Sequence, residues 1–387
     1  TSFSISDVTC LQFKLNYSAD RAVDSPQYRI GGGSWVSLPS NGIITGRTPA
    51  TSYNVQIRVR NPASDLWTES ATRSVTTIAL SNISSAVNFN LESSLGVAIS
   101  RPSSSLVHDI YLEAYYSGAW RDVAKNALTN IGTSATLTPT ASAVTTLQNN
   151  HPNTKHVQVR LRVVCRWGSG GAIQGTIYRS GTATIVNANP SIYYADYEES
   201  IPVMDLVVAN PKVMVQTESG MKVTIYSVAS QKGATLKSCK ISVAGREHIT
   251  AISGTSIPSL DIYFGYLPLP GEQRATVTVY DSRGYSASTH FEFWVMPYSA
   301  PQILSASADR LNNYEESTTL NMKIRVSHYD GELPVSYDWN MLMYVEYRIK
   351  PTNGQYGSWT NASATLNNIS GNWMNYSVSA YMGDFPN

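Results

Sequence analysis

The stretch from Tyr28 to Arg60 most restricts what this chain can fold into. It contains a short strand-like run at 27–30 that ends at Ile30, and three glycines at 31–33. A run in which apolar and polar residues strictly alternate begins at Tyr53. Alternate residues of a strand point to opposite faces, so the alternating run separates an apolar face from a polar one. Glycine accepts positive φ, which lets two strands reverse tightly. The stretch therefore predicts antiparallel strands covering one side of a core.

A Pro-x-Thr-x-Tyr motif comes directly before the alternating run and ends at Tyr53. A tyrosine at such a corner can lay its ring on the core and return its hydroxyl to a backbone group. The motif and the preceding strands resemble the fibronectin type III module over residues 1–78. The residues that carry the resemblance are Tyr28, Trp35, Pro49, Thr51 and Tyr53. The resemblance implies a small antiparallel β-sandwich.

The same pattern returns further along the chain. Tyr347-Arg348-Ile349 precedes Ser358-Trp359, and a new alternating run opens at Tyr376, 17 residues after the tryptophan against 18 in the first copy. A looser copy starts at Ile110, includes Trp120 and delays its alternating strand to Val157. Repetition on this scale predicts an array of similar modules.

We predict an all-β chain, a tandem array of immunoglobulin-like and fibronectin type III-like antiparallel β-sandwiches. Prolines at 190 and 297 suggest two of the seams. The expected modules are residues 1–78, 79–187, 188–298 and 299–387, the last of them incomplete. One short helix is expected in the second module at 140–147, after a threonine cap and before Pro152.

Composition excludes several classes of function. Charged residues make up only 14%, and the formal net charge is +1, so nothing steers the chain toward nucleic acid or an anionic membrane. The chain contains no apolar run of about 18 residues, so no membrane span is predicted. With 42% hydrophobic residues, it can bury sizeable cores. The lack of an initiator methionine and signal peptide suggests a piece of a longer protein.

Three cysteines, Cys10, Cys165 and Cys239, fall one in each of the first three expected modules. A disulfide across a sandwich needs two per module, so no disulfide framework is predicted. Each cysteine lies in an apolar run, which favours buried free thiols. This pattern suggests folding in a reducing compartment.

Residue patterns typical of catalysis, cofactors or metals are scarce. The six histidines are scattered, and His290 with Glu292 on one strand face would supply only half of a metal site. The triple glycine is not followed by the Lys-Ser/Thr pair of a phosphate loop. We therefore predict no catalytic, cofactor-binding or metal-binding residues and no cofactor.

Aromatic residues in loop-like or seam positions are the remaining candidates for contact. Their rings could stack on sugars of a cell-wall polysaccharide, or they could pack modules and subunits together, which is the more common role. The candidate receptor or interface contacts are Trp67 with its neighbour Asp65, Trp167, Tyr193, Tyr194, Tyr263, Tyr266 and Tyr356.

From about residue 188 the chain resembles a narrower group of proteins. Three segments occur in a fixed order at 215–225, 233–238 and 275–284, and Tyr298-Ser299-Ala300-Pro301 follows them. They are similar to the repeat modules of minor structural and tail-fibre proteins of siphoviruses. The segment at 138–152 is similar to these proteins too. The resemblance implies a component of the virion tail without enzymatic activity.

Three functions stay open from the sequence. The first is a non-enzymatic tail-tip, baseplate or tail-fibre subunit, made in the bacterial cytoplasm and located in the virion, with other tail proteins as partners and a trimer favoured. The second is a bacterial surface or secreted array that binds host carbohydrate. The third is the accessory portion of a hydrolase whose catalytic domain lies elsewhere.

Overall fold

The computed structural model describes residues 2–19, 21–124, 128–201, 211–310, 317–327, 345–350, 355–371 and 373–384. The contacts divide the chain into two compact units. Unit 1 contains residues 1–189 together with 230–235 and 281–285, and unit 2 contains the remainder. Within the described ranges the structure is strands with one helix, as the sequence predicts.

The first sandwich of unit 1 is built from eight strands. One sheet has the order β1-β2-β5, and the other has the order β4-β3-β6-β7, with β8 also paired to β6. The strands are β1 (Ser2–Ser6), β2 (Phe13–Ser18), β3 (Asp24–Ile30), β4 (Val36–Ser37), β5 (Ile43–Ile44), β6 (Ser52–Arg60), β7 (Trp67–Glu69) and β8 (Arg73–Thr76).

The core of this sandwich follows from the alternation in β6. Val55, Ile57 and Val59 are buried, and they pack against Phe13 and other residues of the opposite sheet. Burying one such side chain contributes about 1.5–3 kcal/mol, so the apolar face fixes the register of the strand. The polar residues of β6 stay on the outer face, as the sequence pattern indicates.

The second sandwich of unit 1 packs a six-stranded sheet on a three-stranded sheet. The larger sheet has the order β10-β17-β16-β12-β13 with β14 on β12, and the smaller has the order β15-β11-β9. The strands are β9 (Asn82–Ile83), β10 (Asn88–Asn90), β11 (Leu95–Ser100), β12 (Leu106–Tyr116), β13 (Ala119–Asp122), β14 (Leu128–Ile131), β15 (Ser134–Leu137), β16 (His156–Trp167) and β17 (Ile173–Thr184). Ile110, Leu112 and Leu161 are among the fully buried residues between the sheets.

The predicted helix is present as α1 (Ala141–Asn150). The side chain of Thr140 accepts a hydrogen bond from the backbone N–H of Ala143, which satisfies an otherwise unpaired donor at the helix start. Leu147 is fully buried in the core of the second sandwich. The helix ends before Pro152, so the prediction of one capped, proline-terminated helix is confirmed.

The two sandwiches of unit 1 share a buried apolar junction. Cys10, Leu106 and Cys165 are all fully buried, and residues including Leu80 and Trp167 pack around them. The backbone N–H of Cys10 also donates a buried hydrogen bond to the side-chain oxygen of Gln174. This junction combines apolar burial with a directional bond.

A buried arginine lies at the segment 281–285 of unit 1. Arg283 is 6% exposed and donates to the backbone oxygens of Gln148 (2.6 Å), His151 (3.0 Å) and Gln231 (3.2 Å). Residues 281–284 form a turn, with Gly284 at φ 80° and its N–H donating to the oxygen of Asp281. Burial lowers the pKa of Arg283, and the nearby charge of Asp281 partly offsets this effect.

Unit 2 contains a third sandwich. A sheet of order β18-β20-β23 faces a sheet of order β19-β25-β24-β21-β22 across a core that includes Val223, Ile241 and Val277. The strands are β18 (Tyr194–Glu199), β19 (Met214–Val215), β20 (Gly220–Ala229), β21 (Leu236–Val243), β22 (Arg246–Ala251), β23 (Ser256–Tyr266), β24 (Gly271–Asp281) and β25 (Ser286–Met296).

The last segment of unit 2 is described as one five-stranded antiparallel sheet of order β26-β27-β30-β29-β28. The strands are β26 (Gln302–Arg310), β27 (Ser317–Ser327), β28 (Val345–Tyr347), β29 (Thr360–Ser370) and β30 (Trp373–Asp384). Ile324, Val378 and Ala380 are buried on this sheet. The sequence also predicts a strand at 343–349; the structure has β28 over Val345–Tyr347, and residues 343–344 lie outside the described residues. In the described part of the chain, no helix is long and apolar enough to cross a membrane.

Candidate functional site

The outer face of the sheet formed by β18, β20 and β23 brings charged, hydroxyl and tyrosine side chains together. Along these strands, residues such as Tyr197, Val223, Ile225 and Ile262 point to the core of the third sandwich. Strand alternation therefore turns the residues between them outward. Cross-strand pairing sets them in three rows: Tyr194, Tyr226 and Ser259; Asp196, Thr224 and Asp261; and Glu198, Lys222 and Tyr263. We call these nine residues the tyrosine-flanked face.

Tyrosine rings occupy one end of this face. The rings of Tyr194 and Tyr226 stack with centres 4.4 Å apart and planes 16° from parallel. Tyr193 meets Tyr194 edge-on at 5.1 Å. Burial raises the pKa of Tyr194, and the adjacent Tyr226 and Asp196 add to this effect, so its hydroxyl is neutral at physiological pH. The cluster presents flat apolar surface bordered by hydroxyl groups.

Charged groups occupy the second and third rows of the face. Lys222 forms an ion pair with Glu198 and lies 3.9 Å from Asp261, and the Thr224 hydroxyl donates to Asp261 at 2.8 Å. The hydrogen bond to Glu198 raises the pKa of Lys222.

Lys212 adds a further positive charge beside the middle row. Its ammonium group donates to Asp196 at 2.5 Å and also to the backbone oxygen of Tyr197. Burial raises the pKa of Asp196, but the hydrogen bonds from Lys212 and from the N–H of Tyr197 outweigh it, so the pKa lies below its ordinary value. The carboxylate of Asp196 is therefore charged at neutral pH.

The face encloses a shallow cleft of about 250 Å³. Its lining includes Asp196, Glu198, Lys222, Thr224 and Asp261, so it offers both donors and acceptors of hydrogen bonds. Among the described residues, no group of three or more histidine, cysteine or acidic side chains is placed to hold a metal ion. The arrangement suits recognition of a polar molecule by hydrogen bonds at the centre and by ring contacts at the edges.

The structure brings some of the predicted contact residues together. Tyr193 and Tyr194 lie at one end of the face, and Tyr263 lies in its third row. Tyr266 is on the same strand, beyond a bulge in the pairing, where it is paired with Gly220. Tyr193, Tyr263 and Tyr266 are each more than half exposed.

The other predicted contact residues lie elsewhere and have local roles. Trp67 was expected in a loop, but it opens strand β7, and the Arg58 guanidinium carbon is 4.3 Å from its ring centre. Trp67 belongs to a strand because it pairs with Arg60 of β6. Asp65 forms an ion pair with Arg60 at 2.9 Å. Trp167 packs in the buried junction of unit 1.

Tyr356 lies in the last segment of unit 2. It is 56% exposed, and the guanidinium carbon of Arg348 is 4.2 Å from the centre of its ring. Its contact is therefore with a neighbouring side chain of the same segment.

Sequence reasoning missed Tyr226, Asp196, Glu198 and Lys222. The signal that could have found them is the alternation of β20, where Lys222, Thr224 and Tyr226 are the polar members of the run. Those residues share a face by spacing alone. The partners on β18 and β23 depend on strand register, which the sequence does not reveal.

The fold and this face define a protein of tandem β-sandwiches that carries a polar surface suited to binding. The model of one family, described as "Siphovirus protein of unknown function (DUF859)", matches residues 61–385. The chain belongs to this siphovirus family, which confirms the resemblance found in the sequence. A comparison with curated protein sequences finds no significant match.

Solved structures with similarity to this chain include three that contain several repeats or domains. One is the tetra-tandem repeat in the extending region of a large adhesion protein, at 12% identity and a TM-score of 0.30, covering 98% of this chain and 88% of that chain. Another is the three N-terminal domains of the highly immunogenic outer capsid protein of bacteriophage RB49, at 9% identity and a TM-score of 0.31, covering 77% of this chain and 100% of that chain. Domains FN1–FN3 of chicken CNTN1 match at 12% identity and a TM-score of 0.21, covering 76% of this chain and 98% of that chain.

Proposed function

We propose that this chain is a non-enzymatic structural component of a siphovirus tail, in the tail tip, baseplate or tail fibre, and that it supports or makes attachment to the host surface. Its building blocks are the modules at 1–78, 79–187, 188–298 and 299–387. Its partners are other tail proteins and further copies of the chain, with threefold symmetry. Membership of a siphovirus family supports a role in the virion.

The buried junction of unit 1 is the observation that carries this proposal. Tandem modules move freely by default unless the contact between them is large and apolar. Here Leu106, Cys10 and Cys165 are fully buried between two sandwiches, and a buried hydrogen bond joins Cys10 to Gln174. Modules that are fixed to each other suit a structural protein that keeps its parts at a constant distance. They are less suited to a flexible tether.

Immunogold electron microscopy of purified virions tests the proposal. Antibodies raised against the purified chain are expected to label the distal end of the tail. Labelling of the capsid, or virions without label that also lack the chain by mass spectrometry, would contradict it. Mass photometry of the purified chain tests the symmetry separately, since a trimer has three times the mass of one chain.

A further inference from the structure

We infer that the tyrosine-flanked face binds a neutral polysaccharide of the bacterial surface. The inference rests on the proposed function, because it names the ligand through which a tail protein would contact its host. It concerns the outer surface of β18, β20 and β23.

The dimensions of the face fit a short length of an extended polymer. The first and third rows are four positions apart on β20, from Lys222 to Tyr226. At roughly 3.3 Å per residue, this is about 13 Å along the strand. Tyr194 lies in the first row and Tyr263 in the third. Tyr194 is 43% exposed and Tyr263 is 63% exposed, so both are accessible to a ligand.

The side chains match the two kinds of surface that a sugar presents. The C–H faces of a pyranose ring are apolar, and the flat rings of Tyr194 and Tyr263 can pack against them. Sugar hydroxyls both donate and accept hydrogen bonds. The carboxylates of Asp261 and Glu198 accept them, and the Lys222 ammonium donates, all from the same cleft.

Charge in the cleft disfavours an anionic polymer. Three carboxylates, Asp196, Glu198 and Asp261, line it beside only two lysines, Lys212 and Lys222. Both lysines are already in ion pairs with these carboxylates. A phosphate-rich chain would therefore meet net negative charge, which costs free energy and slows association.

The polarity of the cleft disfavours an apolar peptide as well. Its lining presents mostly oxygen and nitrogen atoms. An apolar ligand would strip water from these groups without replacing their hydrogen bonds, and that loss opposes binding. A neutral, hydroxyl-rich chain replaces those bonds and covers the rings at the same time.

Binding of the full chain to fractionated wall polysaccharide tests the inference. Polysaccharide released from walls of the bacterium that propagates the phage is separated by anion exchange into a neutral and an anionic fraction. Titration calorimetry with each fraction then measures affinity. We expect the neutral fraction to bind and the anionic fraction to bind at least tenfold more weakly.

Substitutions on the face connect this binding to the site. Tyr263→Ala and Tyr194→Ala should each weaken binding to the neutral fraction about tenfold, since each removes one ring contact. Tyr178→Ala is the matched control, because Tyr178 is 54% exposed on a strand of unit 1, and it should bind as the wild type does. Circular dichroism shows whether each variant is folded. If Tyr194→Ala unfolds, Asp261→Asn, which keeps the shape of the side chain, gives a second measure of how far binding to the neutral fraction depends on this face.

Several outcomes would overturn the inference. These are tighter binding of the anionic fraction, binding of neither fraction, and equal affinity in the wild type and Tyr263→Ala. Loss of self-association in Tyr263→Ala without any glycan binding would make the face a subunit contact instead. If antibodies label the tail but the chain binds no glycan, the proposed function still holds and only the assignment of the ligand is wrong.

Discussion

The guanidinium carbon of Arg29 lies 4.5 Å from the centre of the Trp35 ring. The same distance separates Arg348 from Trp359 in the last segment of the chain. Both pairs come from the repeated Tyr-Arg-Ile and Ser-Trp pattern in the sequence. The repeat therefore encodes a cation–π contact on the outside of a sheet as well as the alternation that builds the core.

In the first sandwich this contact extends into a ladder. Arg58 on β6 lies 4.6 Å from the centre of Trp35 and 4.3 Å from the centre of Trp67. The second sandwich has a related arrangement, in which Arg160 lies over Trp120 and Tyr178. Alternating cations and rings cover outer sheet faces that would otherwise expose large apolar surfaces.

Replacing Trp35 by alanine should lower the free energy of unfolding by about 1–2 kcal/mol, because two guanidinium groups lose their ring. Urea denaturation followed by circular dichroism measures the change. Val36→Ala is the control, since Val36 is 53% exposed on the neighbouring position and should change stability by less than about 0.5 kcal/mol. Equal effects of the two substitutions would show that the ladder contributes nothing measurable.

Tyr53→Phe tests the corner of the first sandwich. The Tyr53 hydroxyl accepts a hydrogen bond from the N–H of Thr48 at 2.8 Å, and this bond lowers the pKa of Tyr53. Removing the hydroxyl should lower the midpoint of urea denaturation, because the N–H of Thr48 loses its acceptor. Tyr17→Phe, on a nearby strand with an exposed ring, should be close to neutral. A neutral Tyr53→Phe would mean that water replaces the bond without loss.

The predictions that depended on local sequence succeeded in this chain. The alternation of β6, the hydroxyl of Tyr53 and the threonine cap of α1 each involve residues within a few positions of one another. Local geometry decides such features, so the residue types alone specify them.

The tyrosine-flanked face could be predicted only in fragments for a physical reason. Asp196, Thr224 and Asp261 become neighbours through the pairing of three strands, and a shift of one residue would turn each strand over. Exposed tyrosines could be recognised from their seam positions, whereas their polar neighbours could not. The sequence predicts a loop at Trp67 because strand β7 has only three residues, too few to show an alternating pattern.

The three cysteines should resist alkylation in the folded chain. All three are buried and free. Burial raises the pKa of Cys239 to about 12, and burial with the neighbouring Cys165 raises that of Cys10 to about 11. The thiolate is the reactive form, so iodoacetamide at pH 8 should leave all three unmodified by mass spectrometry, and should modify all three in urea. Rapid modification of any one in the native chain would contradict its burial.

The same thiols make stability fall at high pH. A thiol with a raised pKa in the folded state stays neutral there, while in the unfolded chain it ionises near pH 9, so ionisation favours unfolding. The contribution of Cys239 is complete below about pH 9 and declines as the pH rises toward about 12. Comparing the pH dependence of urea denaturation between the wild type and Cys239→Ala isolates it. Parallel curves above pH 9 would show that this thiol is not responsible.

Arg283→Lys should destabilise unit 1 although it keeps the charge. The guanidinium of Arg283 donates to three backbone oxygens at once, and a lysine ammonium on a flexible stem has no planar fork with which to reach them. Each buried acceptor left without a donor costs about 1–3 kcal/mol, so the free energy of unfolding should fall by roughly 2–4 kcal/mol. Faster hydrogen exchange in residues 148–152 gives a local measure of the same loss. Arg274→Lys, at an exposed position of β24, is the matched control and should leave both measurements unchanged.

Leu106→Ala tests the junction on which the proposed function depends. Leu106 is fully buried between the two sandwiches of unit 1, and truncation leaves a cavity that costs about 2–5 kcal/mol. If the junction fixes the sandwiches to each other, exchange of backbone hydrogens should accelerate around Leu11 and Ile78, which pack on it from the first sandwich. Leu66→Ala, at an exposed position of the first sandwich, should leave this exchange as in the wild type. Acceleration confined to the strand that contains residue 106 would mean that the two sandwiches are held by other contacts.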